Sequence, residues 1–235
     1  MAETFPKVEE HPPYVAPIER FDSSEIGREI AFEFSEAMPS PRIWFVSADG
    51  QELVQIQRDW FACNWRKVRP DDTYGRWPSR REAFVKWFGE FERFVGKTLQ
   101  ATISVTQCEV TYVNQVEPNE VWHGHDEVHK VLRLVGSTRG RLLGEPEQVQ
   151  VAASYQIPND DAKPAGRLHV TVQPAVRRED KAPIIVINLT ARGGPEGDGI
   201  DGILRFVERG RRWIVQGFTD LTTPEMHKSW GIEGA

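Results

Sequence analysis

Three imidazoles and two carboxylates fall within seven residues, His123-Gly124-His125-Asp126-Glu127-Val128-His129. Nitrogen and carboxylate donors at this density suit zinc, iron or manganese. On a helix, His125 and His129 would share a face at i, i+4, and His123 would not. The spacing fits neither common histidine metal motif. A solvated helix start, with Asp126 and Glu127 favouring the helix dipole, is the stronger reading. His123, His125 and His129 are therefore weak metal candidates, and no cofactor is expected.

Residues 58–81 interleave Arg58, Arg66, Lys67, Arg69, Arg76, Arg80 and Arg81 with Trp60, Trp65 and Trp77. Cations beside planar rings can follow a phosphate backbone and stack on exposed bases. They can equally be scaffolding, with arginines paired to Asp59, Asp71, Asp72 and Glu82 or laid on the rings. A formal net charge of -6 disfavours nucleic acid. Arg205, Arg209, Arg211 and Arg212 form a smaller cluster that a solvated helix face explains. The run Gly193-Gly194-Pro195-Glu196-Gly197-Asp198-Gly199 lies before a helix, where glycine-rich turns can cradle phosphate. It lacks a lysine-serine/threonine ending, and Glu196 and Asp198 would repel an anion. Asp198 reads better as a helix N-cap. The amides Gln55, Gln57, Asn64 and Asn114 could line a pocket between sheet and helix.

Alternating and helical periodicities set the elements that would position these groups. Residues 1–28 form a proline-rich arm, read as extended chain or an edge strand. Residues 29–37 alternate as a half-buried strand. Residues 42–59 read as two strands around Asp49-Gly50, a hairpin signal because glycine accepts positive φ. A Trp/Arg-rich crossing over 60–81 follows. The stripe Phe84, Trp87, Phe88, Phe91, Phe94 and Val95 predicts a helix over 79–96, capped by Ser79 and stopped at Gly96. A long strand is expected over 101–114 and an amphipathic helix over 119–136. Strands at 149–157, 168–175 and 183–193 then lead into a helix near 199–217. Its apolar positions are Ile203, Phe206, Val207, Trp213, Ile214 and Phe218.

The fold class is thus α+β, as two tandem similar modules. Each is an antiparallel sheet covered on one face by a long helix, with a β-α-β-β-β-α-like order. The first module spans 29–100 and the second 101–235, in one continuous globular unit. With 235 residues the chain can bury a self-supporting core. Its eight tryptophans need packing partners, which counts against disorder. Cys63 and Cys108 fit no disulfide framework and read as small buried hydrophobes. The N-terminus lacks the basic start and apolar stretch of a signal peptide, and no run reaches membrane-spanning length. A cytoplasmic location is expected.

The stretch 42–67 carries an aromatic strand, the turn Ser47-Ala48-Asp49-Gly50, the run Gln55-x-Gln57-x-Asp59 and the triplet Asn64-Trp65-Arg66. These features resemble a sporadically distributed prokaryotic family of about this length, whose members are mostly uncharacterised. The aromatic helix, the strand with Tyr112-Val113-Asn114 and the tail from Phe218-Thr219-Asp220 to Trp230-Gly231 resemble it too. The N-terminal segment departs from the family's usual opening. The resemblance implies the same fold and an accessory, mobile gene. It implies no catalytic residues.

No nucleophile elbow, triad order or kinase signature is present. The reading is a non-catalytic binding or interaction protein, accessory or defence-associated, that uses an aromatic-rich sheet surface. Its partner is another protein or a second copy. Candidate contacts are Gln55, Gln57, Trp60, Asn64, Trp65, Arg66, Trp77 and Asn114. Alternatives are a small-ligand pocket binder or metal-dependent enzyme, and a single-strand nucleic-acid binder acting through 58–81.

Overall fold

The computed structural model describes residues 3–21, 40–136, 142–144 and 146–232. The strand expected at 29–37 lies outside them, as does part of the loop at 137–147. The chain is mixed α+β, with two four-stranded antiparallel sheets among the described residues. It divides into two compact units, Met1–Ile18 with Ser23–Ser104, and Glu19–Asp22 with Val105–Ala235.

In the first unit, β1 (Lys7–His11), β2 (Arg42–Val46), β3 (Glu52–Gln57) and β4 (Trp60–Trp65) pair in chain order. The proline-rich arm thus supplies an edge strand, because its prolines flank β1 instead of interrupting it. The Asp49-Gly50 hairpin forms as expected, with Gly50 at φ +79°. Ser47 Oγ donates to Asp49 Oδ1 at 2.6 Å, and Asp49 accepts from the Gln51 amide at 3.0 Å. The crossing at 60–81 is corrected, since its first six residues are β4. Trp60 and Phe61 point to opposite faces of that strand, so a ring on each side hides the alternation.

Helix α1 (Trp77–Phe94) starts two residues before Ser79, with a proline in its first turn. That proline presets φ and removes one amide that needs no partner there. Ser79 donates to the Arg76 carbonyl from inside the turn and does not cap. Gly96 does not stop the helix either. The chain continues through a π-helical turn, Val95–Leu99, and ends at Gln100 with φ +52°. Phe84, Phe88 and Phe91 surround Phe61 of β4 at centroid distances of 6.1, 5.4 and 5.3 Å. Trp87 meets Phe5 edge-on at 4.9 Å. Phe94, expected in the stripe, is exposed.

In the second unit, β5 (Cys108–Val116), β6 (Val151–Pro158), β7 (Pro164–Val176) and β8 (Pro183–Gly193) form a sheet in the order β5-β8-β7-β6. β5 starts later than the expected strand over 101–114. In both units three antiparallel strands precede a long helix. The opening strands differ: β1 pairs with β2, whereas β5 pairs with β8. Helix α2 (Gly199–Leu221) buries Ile203, Phe206, Gly210 and Ile214, and is followed by α3 (Pro224–Ser229). Asp198 holds the N-cap position of α2 but makes no side-chain capping bond.

The amphipathic helix expected over 119–136 is corrected to a short 3-10 turn, His125–Lys130. Its neighbours spend their backbone groups elsewhere. Asn119 Oδ1 accepts from the amides of Val121 and Trp122, at 2.9 and 3.2 Å. The Arg133 amide donates to the Leu221 carbonyl, and the Thr223 amide donates to Val131. The segment therefore pairs with the end of α2 instead of with itself. Trp122, Val131 and Leu132 are nearly inaccessible in the core it forms.

Gly166 and Gly193 face each other across β7 and β8, and Phe206 lies on their bare backbone. A Cβ on Gly193 would sit 2.2 Å from the Ala165 carbonyl oxygen and 2.5 Å from the Phe206 ring. Gly193→Ala should therefore destabilise the chain by about 1–3 kcal/mol, the usual range for overpacking. Gly194→Ala meets nothing nearer than 3.9 Å and should stay within about 0.5 kcal/mol. Urea denaturation midpoints check both.

Candidate functional site

The alternation of paired strands gathers part of the candidate set. Arg42, Trp44, Gln55, Gln57, Trp60 and Asn64, with Glu9 and His11, share one face of the first sheet. Arg42 is central to it. Its guanidinium carbon lies 5.3 Å from the Trp44 ring centre, 5.6 Å from Tyr14 and 5.7 Å from Trp60. Such positions favour the cation through the ring quadrupole. His11 stacks on Trp44 at 3.8 Å, and Tyr14 leans on Trp60 at 4.5 Å.

Gln57 reaches from this face to the arm. Its Oε1 accepts from the Tyr14 amide at 2.8 Å, and its Nε2 donates to the Tyr14 carbonyl at 2.9 Å. Nε2 also donates to Asp59 at 2.9 Å. Gln55 is 7% exposed and donates to Asn64 Oδ1 at 2.9 Å. Among the described residues, three buried atoms of this face have no hydrogen-bond partner: Gln55 Oε1, Trp44 Nε1 and Arg42 Nε. An unmade bond at a buried polar atom costs free energy, so these atoms suit an added partner.

The other candidates do not join this face. Trp65 Nε1 donates to Gln51, Gln51 donates to Asp72, and Arg66 Nε donates to the Gly50 carbonyl. Trp65 and Arg66 thus brace the β2–β3 turn. Trp77 opens α1, and Asn114 lies on β5 in the second unit. Trp60 and Trp65 project from opposite faces of β4, so the rings of 58–81 form no continuous stacking track. Arg80 is paired with Glu52 at 2.7 Å.

The histidines do not converge. Nε2 of His125 approaches the carbonyls of Ala175 and Ile184, both at 3.0 Å, so it carries the proton and donates. His123 meets Glu127 at 3.3 Å. Glu127 is held down at about 2, first by the hydrogen bond from Lys130 and then by the His123 amide. No three metal-ligating side chains gather among the described residues. The glycine-rich turn borders an open hollow of about 490 Å³, lined by Asp160, Asp161 and Glu196. Its Arg209 is spent on Glu196 and Asp160. A second hollow of about 670 Å³ lies beside Asn114, Phe218 and Trp230. Burial pushes both thiols, Cys63 and Cys108, up to about 12, so neither is a ready nucleophile.

The groups missed in the sequence lie on the second sheet. Arg167 and His169 of β7, Arg192 of β8 and Glu109 of β5 share the face opposite Leu168, Val170 and Ala191. The Glu19 carboxylate from the arm is set among them, with 8% of its side chain exposed. Its Oε1 accepts from Arg167, and its Oε2 accepts from His169 Nε2 at 2.7 Å and lies 3.9 Å from Arg192. Arg192 also donates to Glu109 at 2.8 Å. Ser154 contacts the other His169 nitrogen at 3.1 Å, which orients the ring. The alternating Arg167-x-His169 in a strand was the available signal. Nothing in the sequence placed Glu19 opposite it.

Burial pushes the Glu19 carboxyl up, but the hydrogen bonds and charges of Arg167 and His169 outweigh it and hold the carboxyl below its usual range. A depressed carboxyl stabilises the fold above the unfolded-state pKa, and that contribution fades as pH falls through the folded-state value. Acid should therefore release Glu19 below the ordinary carboxylate range. Arg167→Ala should move that release to higher pH, read from the Glu19 carboxyl carbon by NMR. On the first sheet, Gln57→Leu removes both the acceptor of the Tyr14 amide and the donor to the Tyr14 carbonyl. Exchange of the Tyr14 amide should quicken by roughly 5- to 150-fold, matching about 1–3 kcal/mol for a broken bond. Among the described residues no helix is long and apolar enough to cross a membrane. No family model, curated protein or solved structure matches the chain.

Proposed function

We propose that this chain is a non-catalytic binding protein that takes an extended polypeptide segment on the aromatic face of its first sheet. The observation that carries the reading is the pair of bonds between Gln57 and Tyr14. One side-chain amide engages both the N–H and the C=O of a single residue, so it reads backbone and tolerates many sequences. Tyr14 meanwhile rests on Trp60, within reach of the Arg42 cation. Two donors and one acceptor with no partner among the described residues, Arg42 Nε, Trp44 Nε1 and Gln55 Oε1, lie on the same face for a further segment. The occupant is a partner protein or a second copy, and it would use the contacts that the arm makes within the chain.

The reading extends to the scaffold and the setting. The two halves are tandem relatives, each sheet covered on one face by its long helix. The shared β-β-β-α order and the contacts of Phe61 with α1 support this. Two free cysteines suit the reducing cytoplasm.

The test is a selection of displayed peptides against the purified chain. Trp60→Ala and Gln57→Ala should keep their thermal transitions and lose at least tenfold in affinity for the selected peptides. Trp65→Ala should instead lower stability, because it strips the brace from the β2–β3 turn. Peptides that bind the Trp60 and Gln57 variants as well as the parent would place recognition elsewhere.

A further inference from the structure

The outer face of the second sheet carries more cation than its own strands neutralise. Arg167, His169 and Arg192 stand on β7 and β8. The strand acid beside them is Glu109, which is bonded to Arg192. Among the described residues, the acid bonded to Arg167 and to His169 is Glu19, which is not a strand residue. The receptor groups are thus built into a rigid sheet, while their carboxylate arrives on a separate extended segment. Both of its oxygens are used, one by the guanidinium and one by the imidazole.

The rest of the segment makes contacts of its own. The Glu19 amide donates to Gln107 Oε1 at 2.8 Å, and Arg167 donates to the Arg20 carbonyl at 2.7 Å. Phe21 lies under the Arg167 guanidinium at 4.7 Å and is still 37% exposed. Ile18, just before Glu19, is 75% exposed.

We propose that Arg167, His169 and Arg192 form a carboxylate-binding site for an acidic side chain on an extended peptide, and that Glu19 occupies it as an exchangeable plug. This site lies on another sheet from the face discussed above and does not depend on that reading. Removal of Glu19 takes away the carboxylate that Arg167 and His169 hold and the backbone N–H that Gln107 accepts. An incoming segment needs one carboxylate, an amide on the same residue and a carbonyl on the next. Arg192 keeps its bond to Glu109.

The probe is acetyl-Pro-Ile-Glu-Arg-Phe-amide, a blocked copy of residues 17–21 whose single carboxylate is the glutamate's. It should shift the His169 ring resonances of the full-length Glu19→Ala chain and bind it at least tenfold tighter than the parent. The same peptide with Gln in place of Glu should bind neither chain. Arg167→Ala in the Glu19→Ala background should abolish the response. Equal binding of the Glu and Gln peptides, or no binding to a folded Glu19→Ala chain, would overturn the proposal. So would loss of the fold in Glu19→Ala, because Glu19 would then be a fixed structural group.

Discussion

The pleat of an antiparallel strand sends successive side chains to opposite faces, and both sheets are organised by that single constraint. In β7 it turns Leu168 and Val170 toward the core while Arg167 and His169 face outward. In β8 it does the same with Leu189 and Ala191 against Arg192. The polar groups are therefore aligned by the burial of their neighbours, not by contacts of their own. A one-residue slip in register would exchange the two sets and destroy core and polar face together. The apolar side is fitted closely, down to the Phe206 ring on two facing glycines, which leaves the register little freedom.

Where the chain leaves regular structure, side chains take over the backbone's hydrogen bonds. Gln57 pairs with Tyr14, Gln107 with Glu19, and Asn119 with the amides of Val121 and the buried Trp122. Thr223 donates to the Lys130 carbonyl at 2.6 Å and caps α3 through the Met226 amide. His227, 3% exposed, meets Thr222 at 2.7 Å, and that hydroxyl also donates to the Phe218 carbonyl. These bonds satisfy groups that a buried turn would otherwise strand. They also explain why a segment with helical periodicity, 119–136, does not become a long helix. Its amides are engaged by Asn119 and by the end of α2.

The two polar faces differ in kind. On the first sheet the Arg42 cation lies among rings, and among the described residues three buried polar atoms of that face have no partner. On the second, cations and carboxylates are paired, and a buried Glu19 is compensated from both oxygens. Rings and amides recognise shape and backbone, whereas a charged pocket discriminates by sign. One chain thus presents two surfaces of separate chemistry, each of which engages the proline-rich arm.

Local pattern determined much of this architecture. The apolar run that opens 183–193 marked β8 residue for residue, and Asp49-Gly50 marked its hairpin, because both signals act between neighbours in the chain. The helices at 77–94 and 199–221 were legible from ring spacing, with their ends displaced by a proline start and a π-turn. The strand at 60–65 was hidden by rings on both faces. Of the candidate residues, Gln55, Gln57, Trp60 and Asn64 were gathered by register, while Trp65, Arg66, Trp77 and Asn114 went to other places. The binding of Tyr14 by Gln57 and of Glu19 by Arg167 and His169 was decided only in three dimensions. Those pairs are 43, 148 and 150 residues apart, and no short-range periodicity encodes which side chain a distant segment will meet.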